Sequence, residues 1–170
     1  TVAGATDIDA GESLTISTGT FDANGNFDAT GGDVTITSIG YLKLGGSTIT
    51  SLGTLSTNNG SVWYDRNGAQ TIFSDTYNNL TIYNSTKTLG GTVIVNGGFG
   101  VLTGTVDVSS STLSLNGIAN IDGTLTLGSG TINASGTSDI DGTLNIGTGT
   151  YNADGDFDAT SGDIDFTGAG

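Results

Sequence analysis

The chain has 170 residues, enough for one domain with a buried core. It carries 17 acids against 3 bases, a formal net charge of -14, and neither His nor Cys. It therefore repels nucleic acid and anionic membrane surfaces, attracts cations, and cannot form a Ser-His-Asp triad, a Cys nucleophile or an imidazole zinc site.

The N-terminal stretch TVAGATDIDAGESL, residues 1–14, has no Met, no basic segment and no apolar segment of a leader. No apolar run approaches the roughly 18 residues that a membrane span requires. The expectation is a processed or excised piece of something longer, without a membrane span. Next come SLTISTGTF at 13–21, DVTITSIGYLKL at 33–44 and STITSLGTLS at 47–56, in which apolar and polar residues alternate. Period 2 predicts half-buried strands. The stretch 60–91 departs most from this pattern and holds the only Trp, Trp63, with Tyr64, Phe73, Tyr77 and Tyr83. NLTIYN at 79–84 and TVIVNG at 92–97 restore the alternation.

From residue 102 three blocks of 19 align without a gap: LTGTVDVSSSTLSLNGIAN, IDGTLTLGSGTINASGTSD and IDGTLNIGTGTYNADGDFD. Their columns agree in chemistry, as in Thr105, Thr124 and Thr143; Val106, Leu125 and Leu144; Val108, Leu127 and Ile146; and Gly117, Gly136 and Gly155. A 19-residue unit is too long for one strand and too short for a domain, which points to stacked copies of one supersecondary turn. The predicted fold is all-β: a single parallel β-solenoid (β-helix) over 1–170, of about nine coils with roughly 19-residue turns and three short strands each. The glycines are expected at corners that need positive φ, and the absence of Pro suits a backbone ladder.

A longer period lies over the first. TFDANGNFDATGGDVTIT at 20–37 returns as TYNADGDFDATSGDIDFT at 150–167, an offset of 130 or nearly seven coils. This suggests a tandem array, or a filament grown by end-to-end stacking of solenoids.

Stacked carboxylates are the sharpest candidate for chemistry. In the 19-residue frame Asn120, Asp139 and Asp158 share a column, Asp122 sits above Asp141, and Asp154 and Asp156 flank a Gly turn. Like charges about 5 Å apart repel, and calcium is the obvious counterion. The competing and favoured reading is that Asx side chains cap the corners and face water. The residues Trp63, Tyr64 and Tyr77 are candidates for a glycan-stacking platform, although neighbours in a strand point to opposite faces, so one of Trp63 and Tyr64 belongs to the core, and the favoured reading is a wider coil filled by bulky residues with one exposed ring. A flat ice-binding Thr face fails on regularity, because the column of Thr126 continues as Asp107 and Asn145. Paired carboxylates for glycoside hydrolysis would need a raised pKa in a cleft, which solvated Asp ladders do not offer. No enzymatic activity is expected.

The stretch GSVWYDRNGAQTIFSDTYNNLTIYNSTKTLGGTVIVNG, residues 60–97, resembles repeats of very large secreted or surface-anchored bacterial proteins, Bacteroidetes-like ones in particular. The matching positions are Gly60, Val62, Tyr64, Asp65, Gly68, Gln70, Thr71 and Ile72, then Tyr77, Asn78, Asn79, Leu80, Thr81 and Ile82. The resemblance implies adhesins, stalks and filament components at the cell surface, and no catalytic residues. The function expected from all of this is structural: an extracellular stalk or filament segment whose partner is itself, through head-to-tail stacking or covalent tandem repeats. The alternative is a glycan- or calcium-binding adhesion module on the same fold.

Overall fold

The computed structural model describes residues 1–168, and among them every regular element is a β-strand. Each coil gives one strand to each of three faces, labelled I, II and III in chain order. The first coil runs Thr6–Asp7, Ser13–Ile16 and Thr20–Ala23, and the seventh Thr124–Thr126, Thr131–Ala134 and Ser138–Ile140. Eight coils are complete among the described residues, and Asp163–Phe166 opens a ninth. The strands are paired in parallel between successive coils. Leu125 lies between Val106 on one side and Leu144 on the other, so side chains of one column meet as the 19-residue frame requires.

The alternation in sequence sets the core. Leu113 and Leu115 of Thr112–Leu115 are buried while Thr112 and Ser114 remain part-exposed, and Ile132 and Ala134 repeat the arrangement one coil later. No single coil could bury these residues alone; each covers the apolar residues of the next, in one continuous cluster from Ile8 to Leu144.

Two of the glycine columns have a cause other than positive φ. Gly117, Gly136 and Gly155 lie outside the left-handed region, but a Cβ on any of them would fall well inside contact distance of the carbonyl oxygen of Gly97, Gly117 and Gly136 respectively. In a second column, Gly104, Gly123 and Gly142, only Gly104 has φ in the left-handed region, at 83°. A Cβ on Gly142 would meet the carbonyl of Gly123 in the same way. Close approach of one coil's backbone to the next is what excludes a side chain there.

Face III is one unbroken eight-stranded parallel sheet, from Thr20–Ala23 to Phe157–Asp158. At about 4.8 Å per strand it extends about 34 Å along the axis. Faces I and II are each interrupted after the third coil, as three plus six strands on face I and three plus five on face II. The interruption coincides with a change of coil length. Thr6 pairs with Phe27, 21 residues on, whereas Gln70 pairs with Lys87, 17 residues on.

The two copies of the long repeat occupy different faces. Thr20–Ala23 lies on face III of the first coil and its copy Thr150–Ala153 on face II of the eighth. Likewise Phe27–Asp28 of face I returns on face III as Phe157–Asp158, and Asp33–Ile36 of face II returns on face I as Asp163–Phe166. The offset of 130 residues is seven coils less one face, a shortfall of a third of a turn. The same sequence fits either face because local geometry recurs: Asp28 Oδ1 accepts from the Thr30 N–H at 2.9 Å and from its hydroxyl, and Asp158 does the same with Thr160.

Candidate functional site

The outer surface of face III gathers most of the residues singled out from sequence. Toward the C-terminal end it carries the acid ladder: Asn120, Asp139 and Asp158 are paired neighbours in successive strands, and Asp122 and Asp141 follow the paired Ile121 and Ile140. Desolvation, then the charges of Asp141, Asp158 and Asp122, hold the Asp139 carboxyl above the usual carboxylate range. Asp158 is shifted the other way, downward, by its hydrogen bonds from the Thr160 side chain and backbone. A carboxylate so engaged is a turn cap, as Asp28 is in the earlier copy. Asp154 and Asp156 are exposed at the corner between faces II and III. Among the described residues no group of three or more acidic side chains converges as a metal site would require.

Toward the N-terminal end the same face carries aromatic residues. Trp63 stacks on Tyr83 at 6.2 Å between ring centroids with planes 6° apart, and Tyr41 meets it edge-on at 5.7 Å. Lys43, paired with Trp63 in the preceding strand, places its ammonium 4.6 Å from the ring centroid. Lys43, Trp63, Asp65, Tyr83 and Asn84 line a shallow depression. Trp63 is thus the outward member of the sequence-predicted aromatic trio. Tyr64 and Tyr77 are fully buried and offer no surface to a ligand, because the alternation that turns Trp63 outward turns Tyr64 inward.

Those two tyrosines instead serve the interrupted faces. The Phe73 N–H donates to the Tyr64 hydroxyl at 2.9 Å, the two hydroxyls lie 3.1 Å apart, and the Tyr77 hydroxyl donates to the Phe73 carbonyl at 2.7 Å. Since Tyr77 gives its proton to Phe73, the proton between the rings comes from Tyr64. Two phenols therefore close a loop on the backbone of a single corner residue. Burial pushes the Tyr64 hydroxyl up to about 12 and raises that of Tyr77 well above its ordinary value.

Other inward polar residues do the same along the break. Gln70 donates from Nε2 to the carbonyls of Leu44 at 2.7 Å and Gly46 at 2.8 Å, and the Thr57 hydroxyl accepts from the Asn78 N–H at 2.7 Å. Lys87, with no exposed surface, donates to the carbonyls of Arg66, Gly68 and Asn84 at 2.9 to 3.0 Å. Burial lowers its ammonium to about 8, against the opposing pull of the Asp65 charge. Gln70 and Lys87 are paired neighbours in one inward column that continues as Val106, Leu125 and Leu144. Side-chain donors (Gln70, Lys87 and Tyr77) and acceptors (Tyr64 and Thr57) thus bond backbone groups at the corners around the break. The irregularity of residues 60–91 is visible in the sequence, but this role is not visible in the irregularity itself. The signal was present in Gln70 and Lys87, polar residues at positions where the column is otherwise aliphatic.

The two ends of the stack are the remaining candidate surfaces. Leu144, Ile146, Tyr151, Ala153, Phe157, Ile164 and Phe166 line an open apolar depression at the C-terminal end, where Phe166 is 72% exposed. Thr6, Asp7, Ile8, Glu12, Ser13, Leu14 and Phe21 line one at the other end. Comparison of the chain with protein-family models, with curated proteins and with solved structures finds no match in any of the three.

Proposed function

We propose that this chain is a rigid segment of an extracellular stalk or filament, with no catalytic role, that extends by continuing its own strand ladder at its ends. One observation carries the reading: among the described residues the core is open at both ends, where strands lack a neighbour on one side apart from the single bridge of Val2 to Ala23, while the flanks are polar and strongly acidic. An open strand edge over exposed apolar residues invites another strand, and like-charged flanks keep stacks apart sideways. The extracellular placement and the adhesin or filament context rest on the resemblance of residues 60–97 to repeats of large bacterial surface proteins.

Purified chain examined by sedimentation and negative-stain microscopy tests the reading. Uniform unbranched fibres, or oligomers that grow with concentration, are the expected result. A monodisperse monomer at high concentration rejects noncovalent self-association. A glycan-binding module is the second reading, favoured by the depression around Trp63 and Tyr83. Against it, the Trp63 ring already has Tyr83 stacked on it and the Lys43 ammonium over it, which leaves mainly its edge for a sugar.

A further inference from the structure

We infer that the C-terminal end of the stack is a seat for a parallel coil with the side-chain pattern of residues 41–56, the continuation of another copy of the 130-residue unit. Residues 20–37 and 150–167 are identical at 10 of 18 positions and keep the same order of apolar residues, with opposite fates. In the first copy Ala23, Phe27, Val34 and Ile36 are 0 to 1% exposed. Their equivalents are Ala153, which is exposed, Phe157 at 38%, Ile164 at 39% and Phe166 at 72%. The difference is the next coil. In the first copy Leu42 and Leu44 pair with Phe21 and Ala23, Ile49 with Phe27, and Leu55 with Val34. Leu52, fully buried, lies in the same covering coil.

The apolar depression at the C-terminal end is lined by Tyr151, Ala153, Phe157, Ile164 and Phe166, the equivalents of Phe21, Ala23, Phe27, Val34 and Ile36. It has the same chemistry in the same order, so it takes the same cover. Since the second copy is displaced by one face, the covering strand equivalent to Tyr41–Leu44 lies on face II, over Thr150–Ala153, and no longer on face III. Each further unit is turned by a third, and three units bring a given residue back to its starting face. The aromatic surface around Trp63 would then appear on the three faces in turn.

This inference rests on the solenoid-extension reading but fails separately from it. The test appends SIGYLKLGGSTITSLGTLSTNNG, a second copy of residues 38–60, after Thr167. Its control carries Leu42→Ser, Leu44→Ser and Leu55→Ser in the appended copy only. Hydrogen exchange followed by mass spectrometry reads residues 150–166, with residues 105–134 as the internal reference. Slowing of amide exchange across 150–166 by about tenfold or more in the extended chain, lost in the control, is the expected result. A melting temperature higher by about 3 °C should accompany it. With all three chains diluted until they sediment as monomers, equal exchange in the original, extended and control chains overturns the inference, and so does equal protection by the extension and its control. If the original chain stays monomeric while the extension protects 150–166, noncovalent self-association is rejected and the seat stands.

Discussion

Tyr77→Phe removes one oxygen atom from the interior without changing the shape of the ring, so its cost measures the phenol network directly. The deletion leaves two groups without partners. The Phe73 carbonyl loses the donor at 2.7 Å, and the Tyr64 hydroxyl loses the acceptor at 3.1 Å inside a fully buried ring pair. At about 1 to 2 kcal/mol for each orphaned group, the expected loss is about 2 to 4 kcal/mol. Tyr64→Phe strands only the Phe73 N–H and leaves Tyr77 bonded to the carbonyl, so it should cost about 1 to 2 kcal/mol. The double variant should cost less than the two singles together by about 1 kcal/mol, because the bond between the rings is counted in both singles. Urea unfolding followed by circular dichroism gives the three values. Fluorescence of Trp63, which neighbours Tyr64 in the third coil, reports whether the break melts before the rest, as a quasi-one-dimensional stack permits. A Tyr77→Phe loss below about 0.5 kcal/mol, or strict additivity of the two singles, would refute the closed loop of hydrogen bonds.

Three other perturbations bear on the same architecture. Gly136→Ala should destabilise by about 2 kcal/mol or more, since its Cβ meets the Gly117 carbonyl, whereas Gly19→Ala, with open space around it, should change the urea midpoint little. Leu125→Ala opens a cavity between Val106 and Leu144 and should cost about 3 kcal/mol in the same assay. The pH dependence of stability has a defined alkaline shape. Lys87 sheds its proton near 8 when folded but nearer 10.5 when unfolded, so the unfolded chain binds more protons between those values and stability climbs across that window. Tyr64 and Tyr77 keep their protons beyond 10 only when folded, so stability falls from pH 10 toward 12. Thermal melts between pH 7 and 12 should pass through a maximum near pH 10, and Lys87→Met should abolish the rising limb; a monotonic fall from pH 8 in the original chain would contradict it.

The coil was legible in the sequence wherever backbone pairing and side-chain alternation do all the stabilising. From Thr105 to Ile146 inward columns such as Val106, Leu125 and Leu144 stay aliphatic because each position repeats the same surroundings, and the 19-residue frame follows. Legibility failed where side chains replaced backbone. Bulky core filling is the favoured reading of the aromatic cluster, but which rings are buried is not legible, because composition does not distinguish a ring that stacks on a sugar from one whose hydroxyl caps a buried corner. The phase of Trp63 and Tyr64 in one strand limited the error, since one of two adjacent residues must face inward. The acid ladder was read correctly as a set of columns, but convergence on a cation depends on the third dimension, which a column alignment does not contain. Glycine columns carry a similar ambiguity: positive φ and close backbone approach select the same residue, and only the position of the Gly117 carbonyl relative to Gly136 separates them.

The third-of-a-turn offset ties these points together. A sequence can move from face III to face II only if what it needs from its surroundings is the same on both. The Asp28–Thr30 and Asp158–Thr160 caps are internal to the segment, and the inward Phe, Ala and Ile positions need only an apolar coil on either side. Residues of the break are different, because Gln70 reaches Leu44 and Gly46 specifically, and Lys87 reaches the loop at Arg66 and Gly68. These contacts depend on one coil having its own neighbour, 19 to 26 residues away in the chain. Within a unit, then, the break fixes order, while between units the regular coils accept any face. A repeat whose length is not a whole number of coils needs both properties: coils that tolerate rotation, and one irregular coil that prevents the chain from slipping by a single turn.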